Sequence, residues 1–310
     1  MEQRVIIAGP TASGKSSLSI LLAEKTGSEI ISVDSRQCYK KLDIGTAKPA
    51  EEELNRVPHH NISVLDLTDQ DSVAAFRERA ESYVKEIENH GKQVIFCGGS
   101  TLHLQSLIQP LDDIPSSDPQ NIKQLRKKAD REGLETLYQD LEKVDPEYAK
   151  KMDGLNRQRI LRALDVWIQS GKPFSSFHSE GNIEKPSHYS VFALHHPRKI
   201  LHRRISDRTD AMFEAGLIEE TKKLLNEGYN PSLQALQTVG YKQVIQYLNS
   251  EISKSQLIEK TKTATRRYAK RQITWLRRWP FLKWIDMDEK TEKEAIRYIQ
   301  HQVAADRQKG

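Results

Sequence analysis

The chain has 310 residues, more than one typical domain, so two domains or one domain carrying a large insertion are expected around a sizeable core. Its 48 Lys+Arg outweigh 43 Asp+Glu for a net charge of +5 and a pI near 9.0, a mild excess that matters only where it is concentrated. Cys38 and Cys97 lie far apart without ligand spacing, which excludes a disulfide framework or zinc module; no apolar run reaches membrane-spanning length, so a soluble cytoplasmic protein is expected.

The first apolar run, Val5-Ile6-Ile7-Ala8, leads into Gly9-Pro10-Thr11-Ala12-Ser13-Gly14-Lys15-Ser16, after which apolar residues recur at helical spacing over 17–23. G-x-x-x-x-G-K-S between a strand and a helix is the context of a phosphate loop. Its glycines let the backbone curl around an anion, while the helix-start N–H groups and the Lys15 ammonium converge on one concavity. The expected ligand is a di- or triphosphate. Ser16 is placed to offer its hydroxyl to a Mg²⁺ that bridges phosphate oxygens.

Residues 29–33 read as a second strand ending at Asp34. In an open parallel sheet ligands gather at the carboxyl ends of strands, so Asp34 should share a rim with the phosphate loop. On residues alone it reads as a general base, a metal-linked carboxylate or a helix cap beside Ser35. A Gly- and Pro-punctuated loop over 43–49 follows, then Pro58-His59-His60 and the apolar alternation Ile62-Ser63-Val64-Leu65. The two histidines lack a third ligand at useful spacing and read as structural or substrate-contacting. Residues 72–89 carry one apolar helical stripe closed by Gly91, and 93–97 form the next buried strand. That strand ends in Gly98-Gly99-Ser100-Thr101 before helical spacing resumes, repeating the design at residue 9. Ser100 or Thr101 either bonds a substrate or serves as an N-cap.

Residues 110–119 have linker composition, and charged helical patterns then replace strands to about residue 181, as in an all-helical insertion. Within it Arg159 and Arg162 share one helix face, which is also what a solvated salt-bridging surface needs. A strand returns over 189–194. Arg204 and Arg208 then stand four apart on a helix, suited to clamping a phosphate. Val239-Gly240-Tyr241-Lys242-Gln243 is a glycine turn with polar side chains. Between Lys260 and Ile285 there is no Asp or Glu, while Lys260, Lys262, Arg266, Arg267, Lys270, Arg271, Arg277, Arg278 and Lys283 alternate with Tyr268, Trp275, Trp279, Phe281 and Trp284. This favours a polyanionic partner over a merely solvated basic helix.

A phosphate loop together with a basic, aromatic-laced region suits an enzyme that brings a small diphosphate compound to a nucleic acid, with diphosphate as leaving group. The series GPTASGKS at 9–16, DSRQCY at 34–39, DIGTAKP at 43–49, Gly98-Gly99-Ser100, QRILR at 158–162, VGYKQ at 239–243 and KRQITWLR at 270–277 resembles the bacterial tRNA dimethylallyltransferase (tRNA isopentenyltransferase) family over nearly the whole chain. The resemblance implies an α/β fold, a P-loop NTPase-like parallel sheet core flanked by helices with an all-helical insertion. Its implied divisions are a first core part at 1–115, a tRNA-gripping insertion at 116–188, and completion of the core with a basic helical region at 189–310. It further implies transfer of a dimethylallyl group from dimethylallyl diphosphate to N6 of the adenosine 3′ of the anticodon, with Mg²⁺; a monomer is the default expectation.

By the same resemblance Asp34 is the base and Ser100 the second catalytic residue. Gly9, Pro10, Thr11, Ala12, Ser13, Gly14, Lys15, Ser16, Arg204 and Arg208 hold the diphosphate. Asp34, Ser35, Arg36, Gln37, Ser100, Lys123, Gln158, Arg159, Ile160, Leu161, Arg162, Gln237, Thr238, Val239, Gly240, Tyr241 and Lys242 meet the tRNA anticodon arm. ATP is not the expected substrate, although the loop motif also marks ATP-binding proteins. Ser100 stands where the family usually has threonine, His103 where it has tyrosine, Lys123 where arginine is commoner, and Lys41-Leu42 where it has Gly-Met. The competing readings are a small-molecule P-loop kinase, a prenyltransferase acting on free adenine nucleotides, and a GTPase-like switch, for which no N-K-x-D sequence is present.

Overall fold

The computed structural model describes residues 3–109, 112, 114–177 and 188–308. It divides into two compact units, one of residues 1–109 with 183–310 and one of residues 110–182.

The larger unit is built on one six-stranded sheet: β1 (Arg4–Ala8), β2 (Glu29–Val33), β3 (His59–His60), β4 (Val94–Gly98), β5 (Tyr189–His195) and β6 (Lys283–Asp286). Its order is β3-β2-β4-β1-β5-β6 and every pairing is parallel. Alternate side chains of a strand face opposite ways, so the continuous apolar runs bury both faces. Ile6, Ala8, Ile31, Val33 and Phe96 join one core with Phe76, Ala80, Val84 and Ile87 of α3 (Val73–Asn89) and Leu104 and Ile108 of α4 (Thr101–Ile108). Val5, Ile7, Ile30, Ile95 and Phe192 join the other with Leu18 and Leu22 of α1 (Lys15–Thr26) and Ile296 and Ile299 of α13 (Glu292–Arg307).

Because all strands run one way, the segments leaving β1, β2, β4 and β5 emerge at a single rim. A third core fixes the segment after β2: Cys38, Tyr39 and Leu42 pack with Leu217 and Leu224 of α10 (Leu217–Asn226), Tyr241 and Val244 of α11 (Tyr241–Leu248) and Leu257 of α12 (Lys254–Leu276). The remaining helices of this unit are α2 (Glu51–Arg56) and α9 (Arg198–Glu214).

The alternation at 62–65 joins no named strand: Asn61 and Ser63 have φ near +60° and +53°, and Ser63, Val64 and Leu65 donate backbone bonds to the Gln37 and Cys38 carbonyls. The short strand there is His59–His60, with His60 Nε2 2.7 Å from Glu29 Oε2. The carboxylate-free stretch 260–285 is not one basic helix. It comprises most of α12, a turn and β6.

The smaller unit contains α5 (Pro119–Glu132), α6 (Leu134–Val144), α7 (Pro146–Lys150) and α8 (Arg157–Ser170). Its core holds Leu125, Leu137, Leu141, Ile160, Leu161 and Leu164.

Candidate active site

The loop after β1 turns into α1 through Gly14, whose φ of +89° a side chain would strain. Lys15 begins the helix, and N–H groups of a first helical turn have no intrahelical acceptors, so they are free for an anion. Lys15 Nζ donates to the Pro10 carbonyl at 2.8 Å. Burial, with the like charge of Arg208 nearby, lowers its pKa to about 8. Arg204 Nε donates to the Ala12 carbonyl at 2.8 Å, and Arg208 Nη2 donates to Thr11 Oγ1. Both guanidiniums of α9 therefore reach the loop, and burial lowers the pKa of Arg208. From beneath, His196, just after β5, has Nε2 3.0 Å from the Ser13 carbonyl.

Lys15, Ser16, Thr11 and Arg208 line a cleft of about 670 Å³, solvent at its mouth included, with Asp34 on the same wall system. β4 lies between β1 and β2, so the loop and Asp34 straddle its carboxyl end, where Gly98 and Gly99 also line the cleft. Asp34 Oδ1 accepts the Arg36 and Gln37 N–H groups at 2.8 and 3.2 Å, closing a turn over 35–38 rather than capping a helix. Oδ2 takes no such bond among the described residues, so the turn engages one of the two oxygens.

Thr46, Ala47 and Pro49 of the 43–49 loop also line the cleft, with His59 and Ile62. Glu220 accepts the backbone N–H groups of Asp43, Ile44 and Gly45 at 3.0–3.4 Å, and Tyr241 Oη donates to it at 2.6 Å. Gln37 Nε2 donates to the Thr46 and Ala47 carbonyls at 3.3 and 3.2 Å.

Gln272 completes the site, although it figured in the sequence only as one letter of KRQITWLR. Its Oε1 accepts the Thr11 N–H at 2.8 Å, and its Nε2 donates to the Gly99 carbonyl at 2.7 Å. One buried amide on α12 thus ties the phosphate loop to the β4–α4 turn. A Cβ at Gly99 would stand 2.3 Å from Gln272 Nε2, so only glycine admits this clasp. Tyr268, one turn earlier, lines the cleft, with its phenol pushed up by burial. An uncharged amide inside a basic helix was the available signal.

This loop, carboxylate and clasp can be set beside known proteins. A sequence model described as IPP transferase matches residues 37–279. The chain belongs to the IPP transferase family. It is 43% identical over 304 residues to the tRNA dimethylallyltransferase of Carboxydothermus hydrogenoformans, covering 97% of this chain and 96% of that one. A crystal structure of the full-length tRNA isopentenylpyrophosphate transferase from Bacillus halodurans is similar with a TM-score of 0.72 and 34% identity over 99% of both chains. A eukaryotic dimethylallyltransferase captured acting on tRNA has a TM-score of 0.80 and 27% identity, covering 98% of this chain and 80% of that one. The fold of this IPP transferase is the P-loop NTPase-like sheet expected from the sequence.

The residues expected to meet tRNA in this IPP transferase divide by burial. Lys123, Gln158 and Arg159 of the helical unit are exposed, as are Gln237 and Lys242. Ile160 and Leu161 are core residues, and the fully buried Tyr241 holds the 43–49 loop, so their side chains do not face a partner. Gly240 is also buried. Arg162 is spent on Asp165 at 2.9 Å and the Pro115 carbonyl. Ser35, Arg36, Gln37, Thr238 and Val239 are half-buried. Val239 joins Gln243, Lys260, Thr263, Arg267 and Arg271 around a surface groove. Ser100 does not line the cleft; it follows Gly99, and its hydroxyl lies 2.8 Å from His103 Nδ1.

The aromatic residues of the basic stretch also need correcting. Trp279 is buried in the sheet core with Leu276 and Leu282, and Trp275, Phe281 and Trp284 pack partly buried against it. Only Tyr268 of the five reaches the cleft.

Proposed function

We propose that this protein transfers the dimethylallyl group of dimethylallyl diphosphate to N6 of the adenosine 3′ of the anticodon in tRNA. The observation that carries the reading is a single cleft with Lys15, Ser16 and Arg208 at one part and Asp34 at another. The phosphate loop holds the diphosphate, and Lys15, Arg208 and the α1 N–H groups neutralise the charge that grows as the carbon–oxygen bond breaks. The N6 amine attacks the prenyl carbon, and its proton passes to Asp34. The lone pair of that amine is delocalised into the ring, so a positioned base is needed, a contribution of about 10²–10⁴-fold. Ala47, Pro49 and Ile62 give the cleft an apolar part suited to a prenyl chain. The adenine leaves its stack to reach a carboxylate set at a strand end.

The donor set fits Mg²⁺ held chiefly by the ligand. Ser16 offers a hydroxyl at the cleft, and no cluster of three or more His, Cys, Asp or Glu side chains suited to a metal occurs among the described residues. Ser16 would hold the ion, which when bound supplies charge neutralisation on the diphosphate. Among the described residues no helix is long and apolar enough to cross a membrane. The protein acts as a cytoplasmic monomer on the anticodon arm.

Incubation with labelled dimethylallyl diphosphate, Mg²⁺ and tRNA, AMP or ATP tests the reading. Label is expected in tRNA alone. Label confined to AMP would move the acceptor to free nucleotides, and ATP turnover without transfer would indicate a kinase.

A further inference from the structure

Behind the cleft lies a chain of polar groups that the transfer reaction, as described, leaves unused. His103 is 7% exposed on α4, edge-on to Phe76 with ring centroids 4.6 Å apart. Its Nδ1 is 2.8 Å from Ser100 Oγ, and its Nε2 is 3.7 Å from Asp71 Oδ2. Nε2 is buried and has no hydrogen-bond partner among the described residues. Asp71 is itself fixed by Arg79 Nη2 at 2.8 Å on its other oxygen. Burial alone would raise the Asp71 carboxyl, yet His103 and Arg79 hold it below the usual range, so it is an anion.

That anion decides the tautomer of the ring. A lone pair on Nε2 pointed at a buried carboxylate is repelled, whereas an N–H pointed there is attracted even at 3.7 Å. In the neutral ring the proton therefore sits on Nε2, and Nδ1 is an acceptor. Ser100 must then donate its only proton to His103, which leaves its oxygen able only to accept. The Ser100 backbone is tied to the rim of the site: its N–H bonds the Val33 carbonyl at 3.2 Å, immediately before Asp34, and the preceding Gly99 lines the cleft.

We propose that His103 and Asp71 are positioning residues that lock the Ser100 hydroxyl as a hydrogen-bond acceptor for the incoming amine, rather than a donor to the diphosphate. An acceptor is repelled by phosphate oxygens and attracted by an N–H, so this serves the amine partner of Asp34. The inference rests on the prenyl-transfer reading above for what Ser100 meets, but the state of the ring does not.

The test has two parts. In ¹⁵N-labelled protein, long-range imidazole correlations for His103, assigned by its loss in His103→Phe, are expected to show protonation on Nε2 with an unprotonated Nδ1. An Nδ1-protonated ring overturns the proposal whether or not the enzyme prenylates tRNA. In tRNA prenylation, Ser100→Ala and His103→Phe, which keeps a ring against Phe76, should each lower kcat about tenfold, the worth of one hydrogen bond. The KM for dimethylallyl diphosphate should stay unchanged. The double variant should fall no further, and His103→Asn, whose Oδ1 supplies an acceptor at the Nδ1 position, should recover most of the rate. A wild-type kcat in either single variant, multiplied losses in the double variant, or a raised donor KM would overturn the proposal. Failure of the wild-type protein to label tRNA would instead refute the transfer reading, with the NMR result still deciding the relay.

Discussion

Lys15 is the residue where burial and function pull against each other. Desolvation lowers its pKa to about 8 in the free protein, and an incoming diphosphate favours the charged form. The direction of the pH effect follows: below about 8 the ammonium is already present, and above it each binding event must take up a proton. Donor affinity one full unit above that value should therefore be roughly tenfold below its low-pH plateau, beyond any titration of the ligand. Lys15→Arg stays charged and binds through the same ligand, so calorimetric titrations of the two proteins should diverge above pH 8. Parallel profiles would contradict this account. The loop and Asp34 were legible at this scale because a fixed spacing and a strand end specify them. Gln272 and His103 were not, since each acts through one long-range contact that no local pattern announces.

Helix α12 shows how one element serves three tasks. Leu257 packs under α10 and α11, Gln272 clasps the phosphate loop, and Leu276 starts the stretch that reaches the sheet core through Trp279. The opposite surface leaves Lys260, Arg267, Lys270 and Arg271 exposed. Composition alone joined these cations to the tryptophans as one nucleic-acid surface, because a basic run interleaved with aromatics reads alike whether the rings stack on bases or fill a core. Separation by substitution is straightforward. Trp279→Ala should cost about 3–5 kcal/mol in denaturant unfolding. Arg267→Ala with Arg271→Ala should leave stability within about 0.5 kcal/mol and make the dependence of log tRNA affinity on log salt shallower by about one to two units. An unchanged salt slope would remove these arginines from the RNA surface. Strand β6 was hidden for a related reason: Lys283–Asp286 is short, at the sheet edge and only partly buried, so it carries no apolar alternation.

At the scale of the molecule, the parallel sheet is what turns distant sequence segments into one site. The order β2-β4-β1 sets the ends of two strands on either side of a third, and the glycines after β4 leave the space between them open. That much follows from strand–loop–helix repeats read along the chain, whereas the strand order itself does not, because pairing is fixed by packing of both sheet faces. The central claim is that Asp34 is a base for the acceptor and not a ligand of the donor's metal. Single-turnover transfer to tRNA by Asp34→Asn, with the dissociation constant for dimethylallyl diphosphate measured on the same protein, separates the two. The account predicts donor binding within about twofold of wild type and transfer slowed by about 10²–10⁴-fold; weakened donor binding with a transfer rate near wild type would contradict it.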